Sequence, residues 1–192
     1  MAKLIAKSTN PIGSNLSWPL ANQPTEPGSY PGVIVDILEA KEIEKNWNDE
    51  TKIVDIARFL IAYRNDDDDV CLAQTNEMTI SAFSKSNLIK FISGLRGEMP
   101  PMDGSYDFLE ELGTNCMVTI EKKTSKKGTT YGLASSLSPI TKRLAKECPD
   151  IEDVEIPGGS KYPGLEDDQE VEKMDKPGKS LTNQDEDSDN PF

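Results

Sequence analysis

The chain contains no histidine. That absence excludes Ser-His-Asp and Cys-His catalysis and every His-ligated metal centre. Cysteine is scarce: Cys71, Cys116 and Cys148 are odd in number and form no CxxC pair. Such spacing argues against a zinc site or a disulfide framework and for reduced intracellular thiols that fill strands or core. No apolar run approaches the ~20 residues of a membrane span. The first residues carry no run long enough for a secretory leader, so the expected location is cytoplasmic and Asn15-Leu16-Ser17 reads as a chance sequon. Hydrophobic residues make up only 35% of the chain, below the ~45–50% of a typical globular protein. Part of it is therefore expected to stay unpacked.

What is abundant is negative charge. Of 192 residues, 34 are Asp or Glu and 21 are Lys or Arg, for a net charge of -13. The excess is uneven: residues 1–140 carry net -5 and residues 141–192 carry net -8. The last quarter is also rich in Pro and Gly and poor in aliphatic residues. Such a segment cannot bury enough surface to offset its ordering entropy. Three regions result: an irregular arm over 1–27, anchored by Leu16 and Trp18; a domain over 28–148; and a disordered acidic tail over 149–192.

Within the domain, residues 30–40 read as a first strand, and the polar stretch 42–50 as a turn around Trp47. Residues 52–64 form a second strand, dense in Ile53, Val54, Ile56, Phe59, Ile61 and Tyr63. Residues 70–83 form a third, broken near Asn76. Ser84 then reads as a helix N-cap, with Leu88, Ile89, Phe91, Ile92 and Leu95 at helical spacing and Gly97 as the stop. A second short helix is expected over 106–112 and a helical turn over 141–147. Alternation of Cys116, Val118 and Ile120 marks a fourth strand, and 129–137 a fifth, with Tyr131, Leu133 and Leu137 on one face. Three strands, a helix and a two-strand hairpin give a mainly β fold, a β-barrel with one or two helices. The expected architecture is an OB-fold-like five-stranded barrel with the helix between strands three and four. Another small barrel or a sandwich gives a similar string.

Three groups of residues carry functional expectations. Lys122, Lys123, Lys126 and Lys127 concentrate positive charge in a hairpin of an acidic chain, as phosphate contacts require, and Tyr131 beside them offers a stacking face. The bland alternative is a solvated hairpin tip with Tyr131 in the core. Arg58 and Arg64 lie on the even face of strand two, in the face an OB-fold uses for nucleic acid; they either contact the strand or pair with neighbouring acids. Trp47 is either a stacking platform or a cap on the barrel end. Lys142, Arg143 and Lys146 either extend the basic path or offset the tail. The third group is the terminal run Asp185, Glu186, Asp187, Asp189, Pro191 and Phe192. There an apolar anchor and an α-carboxylate suit a partner's pocket, and the acids suit its basic rim.

This terminal run resembles the C-terminal tip of bacterial and phage single-stranded DNA-binding proteins, in which an OB-fold precedes a disordered acidic linker. Asn190 stands where an apolar residue usually precedes the Pro. The segments 27–30, 121–131 and 136–140 are also similar to phage members of that group. The resemblance implies a protein that coats single-stranded DNA in phage replication, recombination or repair, in the host cytoplasm. It implies recruitment of replication and recombination proteins through the tip. Homo-oligomers are compatible with it. No cofactor, metal or membrane is implied. The rival readings are a non-catalytic interaction or virion accessory protein with a small β-domain, and a metal-dependent nuclease subunit. Gly178-Lys179-Ser180 lacks the first glycine of a P-loop, and residues 66–69 lack the spacing of an EF-hand, so nothing points to catalysis.

Overall fold

The computed structural model describes residues 16–20, 25–48, 50–81, 83–103, 105–125 and 128–164, and the protein it shows is mainly β. Its strands are β1 (Gly28–Trp47), β2 (Glu50–Arg64), β3 (Val70–Gln74), β4 (Met78–Thr79), β5 (Asn115–Thr124) and β6 (Thr130–Ser138), and its helix is α1 (Asn87–Arg96). β1 pairs with both β2 and β5, β5 with β6, β6 with β3, and β3 with β2, so five strands close into a ring. All these pairs are antiparallel except β3 with β6, which run parallel through Ala73↔Gly132 and Gln74↔Leu133. β4 adds beside β2 at Ile56↔Thr79 and Ala57↔Met78.

Alternation along the strands builds two apolar clusters. The enclosed face of the ring contributes Ile34, Ile37, Phe59, Ile61, Tyr63, Ala73, Cys116, Val118 and Ile120, joined by Leu88, Ile92 and Leu95 of α1. The opposite face of β1–β3 contributes Val33, Val35, Leu38, Leu60, Ala62 and Leu72. Trp18 and Leu20 cover that outer strip, with Leu16, Val154 and Ile156 partly buried beside them. β2 is thus flanked by packed layers on both sides, which explains its almost unbroken apolar run from Ile56 to Tyr63.

Several expectations change. Residues 42–50 are not a turn. β1 continues through them to Trp47, and the β1–β2 hairpin projects as a two-stranded arm with Ile43↔Val54, Lys45↔Lys52 and Trp47↔Glu50 in register. Both faces of most of this arm meet water, so its residues carry no alternation to betray a strand. A register shift between Ala40 and Ile43 kinks the arm's base, where Glu42 adopts φ 57 and its N–H bonds the Asp55 carboxylate at 2.9 Å. The N-cap of α1 is Ser86 rather than Ser84, because its hydroxyl lies three residues before Ile89 and accepts that N–H at 3.3 Å. Residues 106–112 hold only a 3-10 turn, Phe108–Glu111, and the expected turn over 141–147 narrows to Leu144–Glu147.

The ordered chain also runs past residue 148. Residues 149–164, expected as the start of a disordered tail, return across the outer strip, where Val154 and Ile156 add apolar cover and Asp36 receives Ser160 and Lys161. Among the described residues no helix is long and apolar enough to cross a membrane.

Candidate functional site

Arg58 sits on β2 facing outward, with only 15% of its side chain exposed. Its Nη2 lies 3.0 Å from Glu77 Oε1, and its Nη1 donates to Gln74 Oε1 at 3.3 Å. Its Nε is buried with no partner among the described residues. Burial pulls the guanidinium pKa down, opposed by the Glu77 charge, and Arg58 remains a cation at any physiological pH. Lys45, from the hairpin arm, reaches the other oxygen of the same carboxylate, Nζ to Glu77 Oε2 at 2.8 Å. The kink at Glu42 precedes Lys45 on β1, and the Lys45 contact ties the arm to the β3–β4 connection. Two basic side chains from separate parts of the fold thus converge on one acid.

Arg64 closes β2. Its Nη1 bonds Asp68 Oδ1 at 3.3 Å and the Asp68 carbonyl at 3.2 Å. Asn65 organises that loop by accepting the N–H groups of Asp67 and Asp69. A cleft of about 620 Å³ opens there, with Arg64 and Lys146 against Asp66, Asp68 and Glu147. Its charges are mixed, so it presents no net attraction for an anion. Arg58 and Arg64 lie six residues apart on one strand, roughly 20 Å. Leu60 and Ala62 between them are fully buried under residues 16–20 and the 149–164 segment. The outer face of β2 is therefore two cationic flanks around a covered apolar strip, not one open surface.

At the β5–β6 hairpin, Lys122 and Lys123 are exposed and face Gly132 and Tyr131 across the ladder. Lys123 Nζ contacts Glu121 Oε2 at 2.7 Å, with about half of each side chain in water. That hydrogen bond holds the Lys123 pKa up and the Glu121 pKa down. Lys126 and Lys127 lie outside the described residues. Tyr131 is half-buried against the outer cluster. It does not share a face with Leu137, because the register shift opposite Thr119 and Ile120 inserts Ser135 and turns Leu137 into the enclosed core. Trp47 ends β1 at the tip of the arm, opposite Glu50 and before Asn48, whose φ is 49. Lys142, Arg143 and Lys146 lie exposed around the 3-10 turn Leu144–Glu147.

The sequence reading missed Lys45 and Glu77. Lys45 lies in a stretch whose composition reads as a turn, and Glu77 beside the strand break near Asn76, so no spacing rule links them. Asp185, Glu186, Asp187, Asp189, Pro191 and Phe192 lie outside the described residues. Among the described residues no group of Cys, Asp or Glu is arranged to hold a metal ion. Neither the protein-family models nor the curated proteins compared with the chain give a match.

Proposed function

We propose that this chain is a non-catalytic single-stranded DNA-binding protein built on an OB-type barrel. The observation that carries the reading is the order of the strand ring. Its first three strands, β1, β2 and β3, follow one another in pairing, α1 lies between the third and fourth, and the fifth, β6, returns parallel to β3. That order supports a five-stranded Greek-key barrel of the OB kind. In such a barrel the loops joining strands one to two and four to five flank the nucleic acid. Here those connections are the projecting β1–β2 arm and the Lys122–Lys123 hairpin. Cations on both would track the phosphates, and Tyr131 would stack on bases. Residues 16–20 and 149–164 cover the middle of the outer face, which restricts the strand to the flanks.

The acidic terminal run serves in this reading as a recruiter of replication and recombination proteins, with Phe192 as the anchor. A tethered polyanion also competes for the same cations, so removing residues 165–192 is expected to strengthen DNA binding.

Fluorescence anisotropy of a labelled oligo-dT strand, with duplex as competitor, tests the reading. Strand-selective binding that weakens between low and moderate salt is expected. Absence of binding at low salt, with and without residues 165–192, overturns it and favours an interaction protein with a small β-domain.

A further inference from the structure

Lys45, Arg58 and Glu77 form a charged triad where the hairpin arm meets the ring. Two cations meet one carboxylate, at 2.8 and 3.0 Å, each taking a different oxygen. One positive charge remains uncompensated. The three side chains are partly open to water, 24% for Lys45, 15% for Arg58 and 30% for Glu77. Within Arg58, Nη1 goes to neutral Gln74 and Nη2 to Glu77, while the buried Nε has no partner among the described residues. A guanidinium binds an anion best through two parallel N–H groups, and Glu77 takes only one of them. Lys45 belongs to the arm and Arg58 to the ring, so an anion held between them joins the two.

We infer that Lys45 and Arg58 constitute a backbone-phosphate subsite for single-stranded nucleic acid, and that Glu77 occupies it in the free protein as an internal stand-in for the phosphate. The inference rests on the DNA-binding reading and deepens it. When a strand arrives, one of its phosphates displaces the Glu77 carboxylate, which turns into solvent from a position already 30% exposed. The phosphate then receives Lys45 Nζ and Arg58 Nη2, and the arm stays docked on the ring through the ligand instead of through Glu77. Glu77 acts as a threshold. A single weak anion does not open the site, whereas a polyanion held elsewhere by Lys122 and its neighbours does, because its next phosphate arrives at high local concentration.

The test compares oligo-dT binding and its salt dependence for the full chain and three variants. Glu77→Gln removes the stand-in charge and keeps the side-chain shape. It is expected to tighten binding about fivefold, the upper end of what a solvent-screened ion pair contributes. Lys45→Gln, on the solvated arm, is expected to weaken binding and to flatten the slope of log affinity against log salt by about 0.7, the value for one phosphate contact on a single strand. Glu152→Gln makes the same charge change on the exposed 3-10 turn Ile151–Asp153 and is expected to have little effect. If the unaltered chain binds while Glu77→Gln and Lys45→Gln both bind as it does, the subsite is overturned and the DNA-binding reading stands. If Glu152→Gln tightens binding as much as Glu77→Gln, the effect is one of net charge and the subsite is again overturned. If the unaltered chain does not bind, the functional reading itself fails.

Discussion

Trp18 donates its indole N–H to Asp36 Oδ2 at 2.8 Å, and both residues are buried. The same carboxylate accepts the Ser160 hydroxyl at 2.7 Å, the Lys161 N–H at 2.6 Å and the Ile37 N–H at 3.0 Å. A buried charge without a cation is costly unless hydrogen bonds fill its lone pairs. Here four donors do so, and three of them come from segments far away in sequence. Asp36 is thereby the common attachment of the N-terminal arm and the 149–164 segment, the two pieces that cover the outer strip of β1–β3.

Replacing Asp36 by Ala strands the N–H groups of Trp18 and Ile37 inside the fold, whereas Ser160 and Lys161 lose their partner nearer to water. The expected loss is about 3–5 kcal/mol, the range for breaking a buried charged network on one side. Denaturant unfolding followed by Trp emission reads the loss. Limited proteolysis of the folded variant should cut first within 149–164, because that segment loses its anchor. Wild-type stability in Asp36→Ala would remove the network from any structural role.

Gly94 provides a test in which helix propensity and packing oppose one another. It lies inside α1, where Ala is the better helix former by about 1 kcal/mol. A Cβ at this position, however, would stand 2.6 Å from the carbonyl oxygen of Leu137 on β6. Backbone cannot yield as a side chain can, so Gly94→Ala is expected to destabilise by about 1–3 kcal/mol in spite of propensity. A gain in melting temperature would mean that α1 rides further from β6 than described.

Alkali should unfold the protein through its tyrosines. Burial holds the Tyr63 phenol above its usual range, and burial with a 2.8 Å hydrogen bond to Glu111 does the same for Tyr106. In the unfolded chain both ionise near pH ~10. The fold keeps them protonated, so their contribution is complete below that pH and is lost as pH rises through the lifted values. Tyrosinate absorbance is expected to rise in two parts, a gradual phase from the accessible phenols and a steep one that coincides with loss of far-UV dichroism. A single gradual titration with the dichroism unchanged would contradict the burial of Tyr63 and Tyr106.

The parts of this fold legible in the sequence are those whose burial is one-sided or complete. Cys116, Val118 and Ile120 alternate because β5 has one packed face, and Leu88 to Leu95 repeat at helical spacing because α1 has one. Pro and Gly with scattered acids concealed the 149–164 segment, since Val154, Ile156 and Tyr162 are too sparse to give a period. The segment settles through Asp36 and the outer apolar strip, which come together only in three dimensions. The arm from Glu42 to Trp47 was illegible for a different reason: a hairpin solvated on both faces is held by its ladder and turn, which composition does not record. With the arm went Lys45, and hence the meeting of Lys45 and Arg58 at Glu77. The singly placed cations Arg58, Arg64 and Lys123 are visible in sequence, and pairing with acids is one of the two readings it offers for Arg58 and Arg64; which acids they meet, Glu77, Asp68 and Glu121, is not.

That pairing separates Lys122 from Lys123. Lys122 is exposed and makes no ion pair among the described residues, so a phosphate can take it without displacing anything. Lys123 is held by Glu121, and a phosphate must first exchange with that carboxylate. The exchange costs little, because an exposed pair is worth only ~0–1 kcal/mol, but it is a cost Lys122 does not carry. Lys122→Ala is therefore expected to weaken oligo-dT binding and reduce the salt slope by about 0.7, the signature of one lost phosphate contact. Glu121→Gln should act in the opposite direction, freeing Lys123 and tightening binding by a factor of about two to five. Anisotropy titrations of both variants at several salt concentrations measure the two effects together. Should Lys122→Ala leave the slope unchanged while Glu121→Gln leaves the affinity unchanged, the phosphate contacts proposed for Lys122 and Lys123 are overturned.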